Sequence, residues 1–390
     1  MANLHLEACV SNIELGVAIA GPGMIGAVHA RAVRMVGAHL RGVAAASPLA
    51  GVAAARRFGA ARGYDSFDHL IADPSVDVVH VCTPNSSHRD LALAALEAGK
   101  HVICEKPLAT NASDALLLAD TARRTGRVAT VPFVYRFHPM VREARARASA
   151  LGRLQLIHGS YLQDWLLCAD DTNWRVDAAV GGASRAFADI GSHWCDLIEW
   201  VTGERLTSVV ASFDTTVAQR PDQKRHTSAS CNTAEGHAVG SMAVRTEDVA
   251  VATFKTESGV LVNVTVSQVS AGRKNRLWFE IDGANGSVVF DQEDPERLWF
   301  TRDGKTELLL RDPNVGSPEQ RRLATLPAGH AQGYAQCFEA FVADTYATIR
   351  GEQRDGLPTF DDGLRSAQIV EAVLQSSRTN SWTSVNGERQ

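Results

Sequence analysis

Two short stretches of the chain carry residues that can move a proton. The segment CEKP (104–107) follows an apolar run, and a lysine at the carboxyl end of a buried strand can donate to a substrate hydroxyl. Asp189 and His193 are four residues apart, and Asp196 follows three residues later, so a helix would stack them on one face. Histidine titrates in the range needed for proton transfer at neutral pH. We predict Lys106, Asp189 and His193 as the catalytic residues.

Both stretches also have a structural interpretation. Glu105 and Lys106 could form a surface ion pair before a proline turn, and a lone histidine is more often structural than catalytic. Asp189 lies one turn before His193, and the flexible pair 181–182 precedes both, which favours a functional role.

A glycine motif near the start of the chain predicts a nucleotide site. The apolar run 13–19 suits a buried parallel strand, and a helical pattern over 24–36 follows. Between them, Gly21 permits a tight turn, Gly23 leaves room for a pyrophosphate, and Gly26 lets the helix pack on the strand. The first helical N–H groups would face the phosphates. The predicted cofactor contacts here are Gly21, Gly23, Met24, Ile25 and Gly26.

Two other strand ends are expected at the same edge, since ligands bind beyond the carboxyl ends of the strands in a doubly wound sheet. The segment TPN (83–85) could form a wall for the nicotinamide half of a dinucleotide, and a turn that caps the next helix is the alternative. The second strand ends at Ser47, where a carboxylate would hold the ribose of NAD. Because neither an acidic nor an adjacent basic residue stands there, the choice between NAD and NADP stays open.

Aromatic and charged residues in the middle of the chain could bind a substrate. Tryptophan faces suit the apolar face of a sugar ring, and arginine suits hydroxyls or an anionic group. Buried or interface tryptophans are the structural alternative. Tyr135 and Arg136, at a crossover between two sequence patterns, are also candidates for reaching the substrate. The predicted substrate contacts are Lys106, Arg136, Trp165, Trp174, Arg175, Asp189 and His193.

The elements that must position these residues fall into two patterns. In the first, strands alternate with helices near 24–36, 48–58, 67–72, 86–99 and 111–125, which predicts a parallel sheet covered on both faces. Its strands are predicted at 13–19, 40–46, 77–82, 101–104 and 127–132. After a helix at 138–150, long alternating runs favour an antiparallel sheet with one covered face. These runs are 154–162, 206–217, 249–257, 259–270, 276–282, 286–291 and 297–301.

The remaining segments complete the predicted organisation. Residues 214–247 and 303–329 are interpreted as loops, and helices are predicted at 191–202, 330–350 and 361–377. The predicted units are a loose leader over 1–12, a dinucleotide-binding domain over 13–134, and a substrate-binding and oligomerisation domain over 135–390.

Composition excludes several classes of protein. The chain has 390 residues, 45% hydrophobic and 21% charged, which is typical of a globular protein with more than one domain. A net charge of −5 without a basic block argues against a nucleic-acid partner. The start lacks a secretory signal and no run could span a bilayer, so we expect a cytoplasmic protein without a membrane partner. Seven scattered cysteines without C-x-x-C predict no metal site and suit a reducing compartment.

Four motifs together resemble the Gfo/Idh/MocA oxidoreductases, and the likeness runs from residue 13 to about 385. They are GPGMIG (21–26), TPNSSH (83–88), EKP (105–107) and GGASRAFADIGSHWCD (181–196). The resemblance implies an N-terminal Rossmann domain and a C-terminal α/β domain. The second domain would have a large, open, mainly antiparallel sheet that forms a homodimer or homotetramer interface. It also implies a cis bond between Lys106 and Pro107.

The resemblance further implies a reaction. Hydride would pass between NAD or NADP and a secondary alcohol or ketone of a sugar, polyol or glycoside. Lys106 and His193 would handle the proton, and Asp189 would orient the substrate. Six residues would contact the cofactor on the nicotinamide side: Thr83, Pro84, Asn85, His88, Glu105 and Lys106. A glycosidase that oxidises its substrate transiently, and a non-catalytic NAD(P)-binding regulator, are the two alternatives.

Overall fold

The computed structural model describes residues 14–222 and 240–385. Six parallel strands form the first sheet, in the order β3-β2-β1-β4-β5-β6. They are β1 (Gly16–Ala20), β2 (His39–Ala44), β3 (Arg62–Tyr64), β4 (Val78–Val81), β5 (His101–Cys104) and β6 (Ala129–Thr130). The order reverses between β1 and β4, and a reversal of this kind opens a ligand crevice at the carboxyl edge.

Five helices connect these strands, and their sequences explain their ends. The hydroxyls of Ser47 and Ser66 and the side chain of Asn111 accept backbone N–H groups at three helix starts. Gly59 and Gly126 end two helices in the left-handed conformation, which glycine adopts without strain. The helices are α1 (Met24–Met35), α2 (Pro48–Phe58), α3 (Phe67–Ala72), α4 (His88–Glu97) and α5 (Ala112–Thr125).

The middle of the chain supplies short helical segments and the first strand of the second sheet. The helices are α6 (Pro139–Ala148), α7 (Ala178–Gly181) and α8 (Ser192–Thr202), and the strand is β7 (Leu154–Leu162). A π-helical turn, Phe187–Gly191, leads directly into α8. Single 3₁₀ turns lie at Asn85–Ser87, Val134–Phe137, Ser149–Leu151 and Trp174–Val176.

Nine strands form the second sheet, in the order β16-β15-β14-β13-β7-β12-β11-β8-β17. Besides β7, they are β8 (Leu206–Asp214), β11 (Val249–Thr256), β12 (Leu261–Ser267), β13 (Arg276–Gly283), β14 (Gly286–Asp291), β15 (Arg297–Arg302), β16 (Lys305–Leu310) and β17 (Thr383–Ser384). Their pairs are antiparallel except β7–β12, which is parallel. The strands β9 (Gln219–Pro221) and β10 (Ser241–Ala243) pair separately.

One face of the second sheet is covered. On β13, Leu277, Phe279 and Ile281 are fully buried, while the alternating Trp278 and Glu280 are only partly buried. Side chains of α6 and α8 join the buried face in one hydrophobic core. The predicted pair of sheets, one parallel and one mainly antiparallel, is therefore confirmed.

Three sequence predictions about local structure were wrong. The loop assigned to 214–247 contains β9 and β10 in its described parts, and residues 223–239 lie outside the described residues. The loop assigned to 303–329 contains β16 and the helix α9 (Pro318–Leu323). β16 is an edge strand with mostly exposed side chains, so it lacks alternating burial. β3, absent from the predicted strands, is too short to show a period.

Two helices near the end of the chain return to the first sheet. They are α10 (Tyr334–Ile349) and α11 (Phe360–Thr379). Phe338, Phe341 and Val342 on α10 share a core with Val17 and Ile19 of β1. The fold therefore brings a distant segment behind the glycine motif. The domain boundary near residue 134 stays a prediction.

Three further predictions concern the start of the chain, membrane-spanning helices and the cysteines. The predicted leader over 1–12 lies outside the described residues. Within 14–222 and 240–385, no helix combines the length and apolar character that a membrane crossing requires. The cysteines free of disulfides in these ranges are Cys82, Cys104, Cys168, Cys195 and Cys337.

Candidate active site

A cleft of about 1030 Å³ lies between the carboxyl edge of the first sheet and the second sheet. The strand ends β1, β2, β4 and β5 supply one wall, and segments near β7, the π-helical turn and α10 supply the other. Of the predicted site residues, the cleft collects Gly21, Gly23, Met24, Ile25, Thr83, Pro84, Asn85, His88, Glu105, Lys106, Trp165, Trp174, Arg175, Asp189 and His193.

Each glycine of the first motif has its own steric reason. Gly21 has φ +110°, and a Cβ there would lie 2.4 Å from the Cys82 carbonyl oxygen. A Cβ on Gly26 would lie 2.2 Å from the Gly21 oxygen, so Gly26 serves helix packing and does not line the cleft. A Cβ on Gly23 would meet no atom within 4 Å and would project into open space. A side chain at Gly23 would therefore occupy the cleft.

The start of α1 fits a phosphate group. Gly23 is the N-cap and offers no side chain to the first N–H groups of the helix. Helix N-termini with free N–H groups and a positive dipole end bind anions. Together with the space beside Gly23, this arrangement fits the pyrophosphate of a dinucleotide.

The end of β2 presents small side chains. Ala44, Ala45 and Ala46 line the cleft, whereas Ser47 does not. The Ser47 hydroxyl accepts the Ala50 N–H at 3.3 Å and caps α2. Ser47 thus lies outside the cleft, with its hydroxyl turned back to its own helix, and the cofactor contact at Ser47 stays a prediction.

The turn after β4 is held from both sides. Asn85 donates from Nδ2 to the Gly181 carbonyl oxygen at 2.8 Å, which ties this turn to the second half of the chain. The two ring nitrogens of His88 lie 2.8 Å from the carbonyl oxygens of Thr83 and Pro107. His88 is thus positioned to fix the turn and the EKP segment relative to each other. Burial lowers its pKa below 6.5.

Lys106 and Asp189 form the polar centre of the cleft. Lys106 Nζ donates to Asp189 Oδ1 at 2.6 Å and to the Asp189 carbonyl oxygen at 3.0 Å. The bond between Lys106 and Pro107 is cis, as predicted. Gln268 Nε2 donates to the other carboxylate oxygen at 2.9 Å, and Arg175 Nε lies 3.3 Å from Oδ1. Burial opposes ionisation of Asp189, but Lys106 and Arg175 outweigh it and hold its pKa far below 3.8.

The π-helical turn places Asp189 and His193 on the cleft. Glu247 accepts the hydroxyl of Ser184 and the N–H groups of Arg185 and Phe187, and so anchors the start of this turn. A Cβ on Gly191 would lie 2.7 Å from the Phe187 ring. The sequence predicted an ordinary helix start here, and the extra residue of a π turn was not visible from the i, i+4 spacing.

Arg136 and Asp196 are not part of this cleft. Arg136 Nε donates to Asp196 Oδ2 at 2.8 Å, and Nη2 donates to Asp362 Oδ1 at 2.8 Å. Both Arg136 and Asp196 are buried, and they line a separate small cavity of about 230 Å³. Arg136 and Asp196 thus lie apart from the cleft that Asp189 and His193 line, and the contact of Arg136 with substrate stays a prediction. The ion pair holds both side chains away from the cleft, although burial raises the pKa of Asp196 to about 7.

His193 lies in an aromatic enclosure. Phe133 and Tyr135 meet its ring edge-on, with centroids 5.6 and 4.9 Å away. Its Nδ1 atom is buried without a hydrogen-bond partner among the described residues. Burial and the charge of Lys106 lower the pKa of His193 well below 6.5, against the opposing effect of Asp189. The imidazole is therefore neutral at pH 7 and able to accept a proton.

A chain of hydrogen bonds crosses the substrate side of the cleft. Trp165 Nε1 donates to Gln163 Oε1, Gln163 Nε2 donates to Asn275 Oδ1, and Tyr161 Oη also donates to Asn275 Oδ1, each at 2.8 Å. Tyr135 and Tyr161 join hydroxyl to hydroxyl. Sequence reasoning missed Tyr161, Gln163, Gln268, Asn275 and Tyr334.

The described residues contain one group of side chains with the spacing of metal ligands. His158, Glu280 and Asp282 have ligand atoms within 4.8 Å of one another, on the open face of the second sheet and outside the cleft. The prediction that the protein binds no metal stays a prediction.

Comparisons with known proteins agree with the geometry of the cleft. Residues 15–133 match the family model described as an oxidoreductase family with an NAD-binding Rossmann fold, and residues 141–289 match a GFO/IDH/MocA C-terminal domain. Levoglucosan dehydrogenase of Pseudarthrobacter phenanthrenivorans is 32% identical, over 95% of this chain and 98% of that protein. Inositol 2-dehydrogenase 2 of Saccharopolyspora erythraea is 27% identical, over 96% of both chains.

Solved structures give the same result. A levoglucosan dehydrogenase in complex with NADH and L-sorbose superposes with a TM-score of 0.86 at 28% identity, and the match covers 95% of this chain and 98% of that one. An inositol dehydrogenase homologue from Azotobacter vinelandii, complexed with NAD⁺, gives a TM-score of 0.80 at 25% identity, over 95% and 97% of the two chains. With both halves of the chain matched, this protein belongs to the Gfo/Idh/MocA family of NAD(P)-dependent oxidoreductases.

Proposed function

We propose that this protein transfers hydride between a nicotinamide dinucleotide and a secondary alcohol of an uncharged sugar or polyol. The observation that carries the proposal is the contact of Lys106 with Asp189 beside a neutral His193, in the cleft that begins at the glycine motif. When bound, the nicotinamide supplies the hydride acceptor. The protein must therefore supply the proton acceptor and hold the alcohol carbon in place.

The three polar residues have distinct roles in this proposal. Lys106 donates to the alcohol oxygen and stabilises negative charge that develops there. Neutral His193 accepts the hydroxyl proton as the carbon loses hydride, and returns it in the reverse direction. Asp189 stays ionised and holds Lys106 Nζ in the cleft by a hydrogen bond.

The charges in the cleft favour a neutral substrate over a sugar phosphate. Among the described residues that line the cleft, the cations Lys106 and Arg175 both contact Asp189, so part of their charge is already balanced before a substrate binds. The wall of Trp165, Trp174 and Asn275 offers an apolar face and amide groups, which suits a hydroxylated ring. Relatives named for levoglucosan and inositol support the same class, and one named for glucose 6-phosphate makes the phosphate ester the competing substrate to test.

NAD is the proposed cofactor. The described residues that line the cleft at the end of β2 are alanines, and they provide no cation for the 2′-phosphate of NADP. Related structures were solved with NADH or NAD⁺.

A homodimer or homotetramer through the second sheet is also part of the proposal. Val251, Leu261 and Leu156 are about 40–50% exposed on its open face, and Leu261 pairs with Leu156 in register. Burying such apolar side chains against a second copy would be favourable. Light scattering of the purified protein tests this part.

The function is tested by a substrate panel with NAD and with NADP. The absorbance of reduced cofactor is followed with levoglucosan, myo-inositol, L-sorbose and glucose 6-phosphate. With sorbose, the assay also starts from reduced cofactor and follows the consumption of that cofactor. We expect turnover of a neutral compound and a poor rate with the phosphate ester. Cleavage of an aryl glycoside without net reduced cofactor would instead indicate the glycosidase. Cofactor binding with no turnover of either kind would contradict the proposal and favour a regulator.

A further inference from the structure

Behind the cleft, four buried polar side chains form one continuous chain of hydrogen bonds. Tyr346 Oη lies 2.9 Å from His80 Nε2, His80 Nδ1 lies 2.8 Å from His29 Nδ1, and His29 Nε2 lies 3.1 Å from Glu105 Oε1. His29 and His80 are fully buried, Tyr346 is 1% exposed, and Glu105 is 6% exposed. The chain runs from α10, through β4 and α1, to the end of β5.

The positions of the protons in this chain depend on whether both oxygens of Glu105 accept hydrogen bonds. The N–H of Lys106 donates to Glu105 Oε2 at 3.1 Å, and an amide N–H cannot accept. Glu105 Oε2 is therefore an acceptor, and Oε1, which lies next to His29 Nε2, accepts as well when the carboxylate is ionised. If Glu105 also accepts a hydrogen bond from a neutral His29, the ring proton of His29 is on Nε2. Its Nδ1 is then unprotonated, or bare.

The same reasoning fixes the other two members. A bare Nδ1 on His29 requires a proton on Nδ1 of His80, because two bare nitrogens 2.8 Å apart would repel. The Nε2 of His80 is then bare and accepts the hydroxyl proton of Tyr346. Every donor in the chain thus points from Tyr346 toward Glu105.

We propose that His29, His80 and Tyr346 are positioning residues that hold Glu105 as an ionised acceptor at the nicotinamide end of the cleft. Reversing the chain would place a proton between His29 and Glu105 on the carboxylate, which would then be neutral. The inference rests on the proposed function only for what Glu105 acts on.

The electrostatics favour an ionised Glu105. Burial opposes its ionisation, but the hydrogen bond from His29 and the neighbouring positive charge outweigh burial, so that the pKa of Glu105 lies below 4.5. Burial and the neighbouring His29 lower the pKa of His80 well below 6.5, so His80 is neutral and has a single ring proton to place.

An anion here has a consequence for cofactor binding. The oxidised nicotinamide ring carries a positive charge that the reduced ring lacks, and charges interact strongly in a site that excludes water. Glu105 lines the cleft next to Lys106. An ionised Glu105 therefore favours NAD⁺ over NADH, and a variant that neutralises it lowers this preference.

The first test uses the protein without cofactor. Nitrogen NMR of uniformly ¹⁵N-histidine-labelled protein reports the tautomer of each ring, with His29→Gln and His80→Gln used to assign the signals. We expect the Nε2–H form for His29 and the Nδ1–H form for His80 near neutral pH. The opposite tautomers, or a doubly protonated ring at either position, would overturn the proposal. This result does not depend on the proposed reaction.

The second test measures, by titration, the dissociation constant of NADH divided by that of NAD⁺. A larger ratio means a stronger preference for NAD⁺. His29→Leu removes the donor to Glu105 and should lower this ratio about three- to tenfold. His29→Gln keeps one donor and one acceptor and should restore most of it. Tyr346→Phe, which is nearly isosteric, should give a smaller change in the same direction. Tyr64→Phe is the matched control, because its hydroxyl donates to Asp73 away from the chain.

These outcomes separate the two hypotheses. Failure to bind either form of the cofactor would contradict the proposed function, while the NMR result would still decide the proton order. Normal binding with the same ratio in His29→Leu and Tyr346→Phe as in the wild type would overturn the role of the chain. If His29→Leu does not fold, Tyr346→Phe decides.

Discussion

The two walls of the cleft are built from different kinds of group. On the nucleotide side, backbone geometry does most of the work: a glycine at φ +110°, a glycine whose missing side chain leaves space, and an uncapped helix start. On the substrate side, side chains from distant segments meet, such as Asp189 with Gln268 and Gln163 with Asn275. Backbone geometry is set by the local sequence, whereas contacts between side chains that are distant in the sequence depend on the tertiary fold.

Lys106 and His193 should show the largest effects, since they link the two walls. We expect Lys106→Ala and His193→Ala to lower turnover about 10²–10⁴-fold, the range for loss of general acid–base assistance. Steady-state rates on one active substrate provide the measurement.

Cofactor affinity is the companion measurement for these variants. The dissociation constant for NAD should stay within about threefold of the wild type, because both side chains act on the alcohol. Lys305→Ala, on the exposed edge strand β16, is the control for loss of a lysine. Near-normal turnover in both active-site variants would refute the assignment.

Substitutions of the two arginines predicted to contact substrate should differ in their effects on stability and on the KM for substrate. Arg136→Met leaves Asp196 buried without its main partner and should destabilise the fold by about 3–5 kcal/mol. Arg175→Met should change stability by no more than about 0.5 kcal/mol but raise the KM for substrate, since Arg175 is partly exposed in the cleft. Denaturant unfolding and steady-state kinetics of both variants test this contrast, and the reverse pattern would place Arg136 in the site.

The pH dependence should reflect the enclosure around His193. Burial and Lys106 lower its pKa well below 6.5, so the neutral base is present above that lowered value and is lost as pH falls through it. We therefore expect kcat/KM for alcohol oxidation to stay level as pH falls past 6.5 and to decline only at lower pH. A decline with an apparent pKa near 6.5 would show that His193 is solvated when it accepts the proton.

The smallest predicted effect concerns the end of β2. A carboxylate that reaches the adenosine ribose favours NAD and repels a 2′-phosphate. Ala46→Asp should raise the NAD-to-NADP ratio of kcat/KM about tenfold or less, because salt screens an exposed charge. Ser47→Asp should act in the same direction but more weakly, since aspartate at this position can still cap α2. A ratio that moves toward NADP in Ala46→Asp would contradict this placement.

The sequence allowed the nucleotide wall to be predicted in detail. Gly21, Gly23 and Gly26 occupy the positions that their spacing indicates, because the strand, turn and helix are adjacent in the chain. Lys106, Asp189 and His193, which the sequence predicts as catalytic residues, also line one cleft, although a π-helical turn, rather than a regular helix start, carries Asp189.

Other parts could not be predicted, for physical reasons. Gln268 reaches Asp189 only because β12 lies beside the π-helical turn, and a glutamine at a strand end has no local signature. Arg136 looks like a substrate contact in the sequence, but its partner Asp362 is more than 200 residues away. The chain from Tyr346 to Glu105 joins four segments, so it has no local spacing to detect.

In the proposed reaction, hydride moves directly between substrate and nicotinamide across the junction of the two walls. The most direct test of this transfer uses levoglucosan deuterated at its ring carbons that bear hydroxyls, or the best neutral sugar in the panel, with NAD in ordinary water. Mass spectrometry of the reduced cofactor should show one deuterium per turnover, with a slower rate than for the protiated substrate when hydride transfer limits catalysis. Reduced cofactor that carries only solvent hydrogen, or reaction without deuterium on the cofactor, would contradict the account.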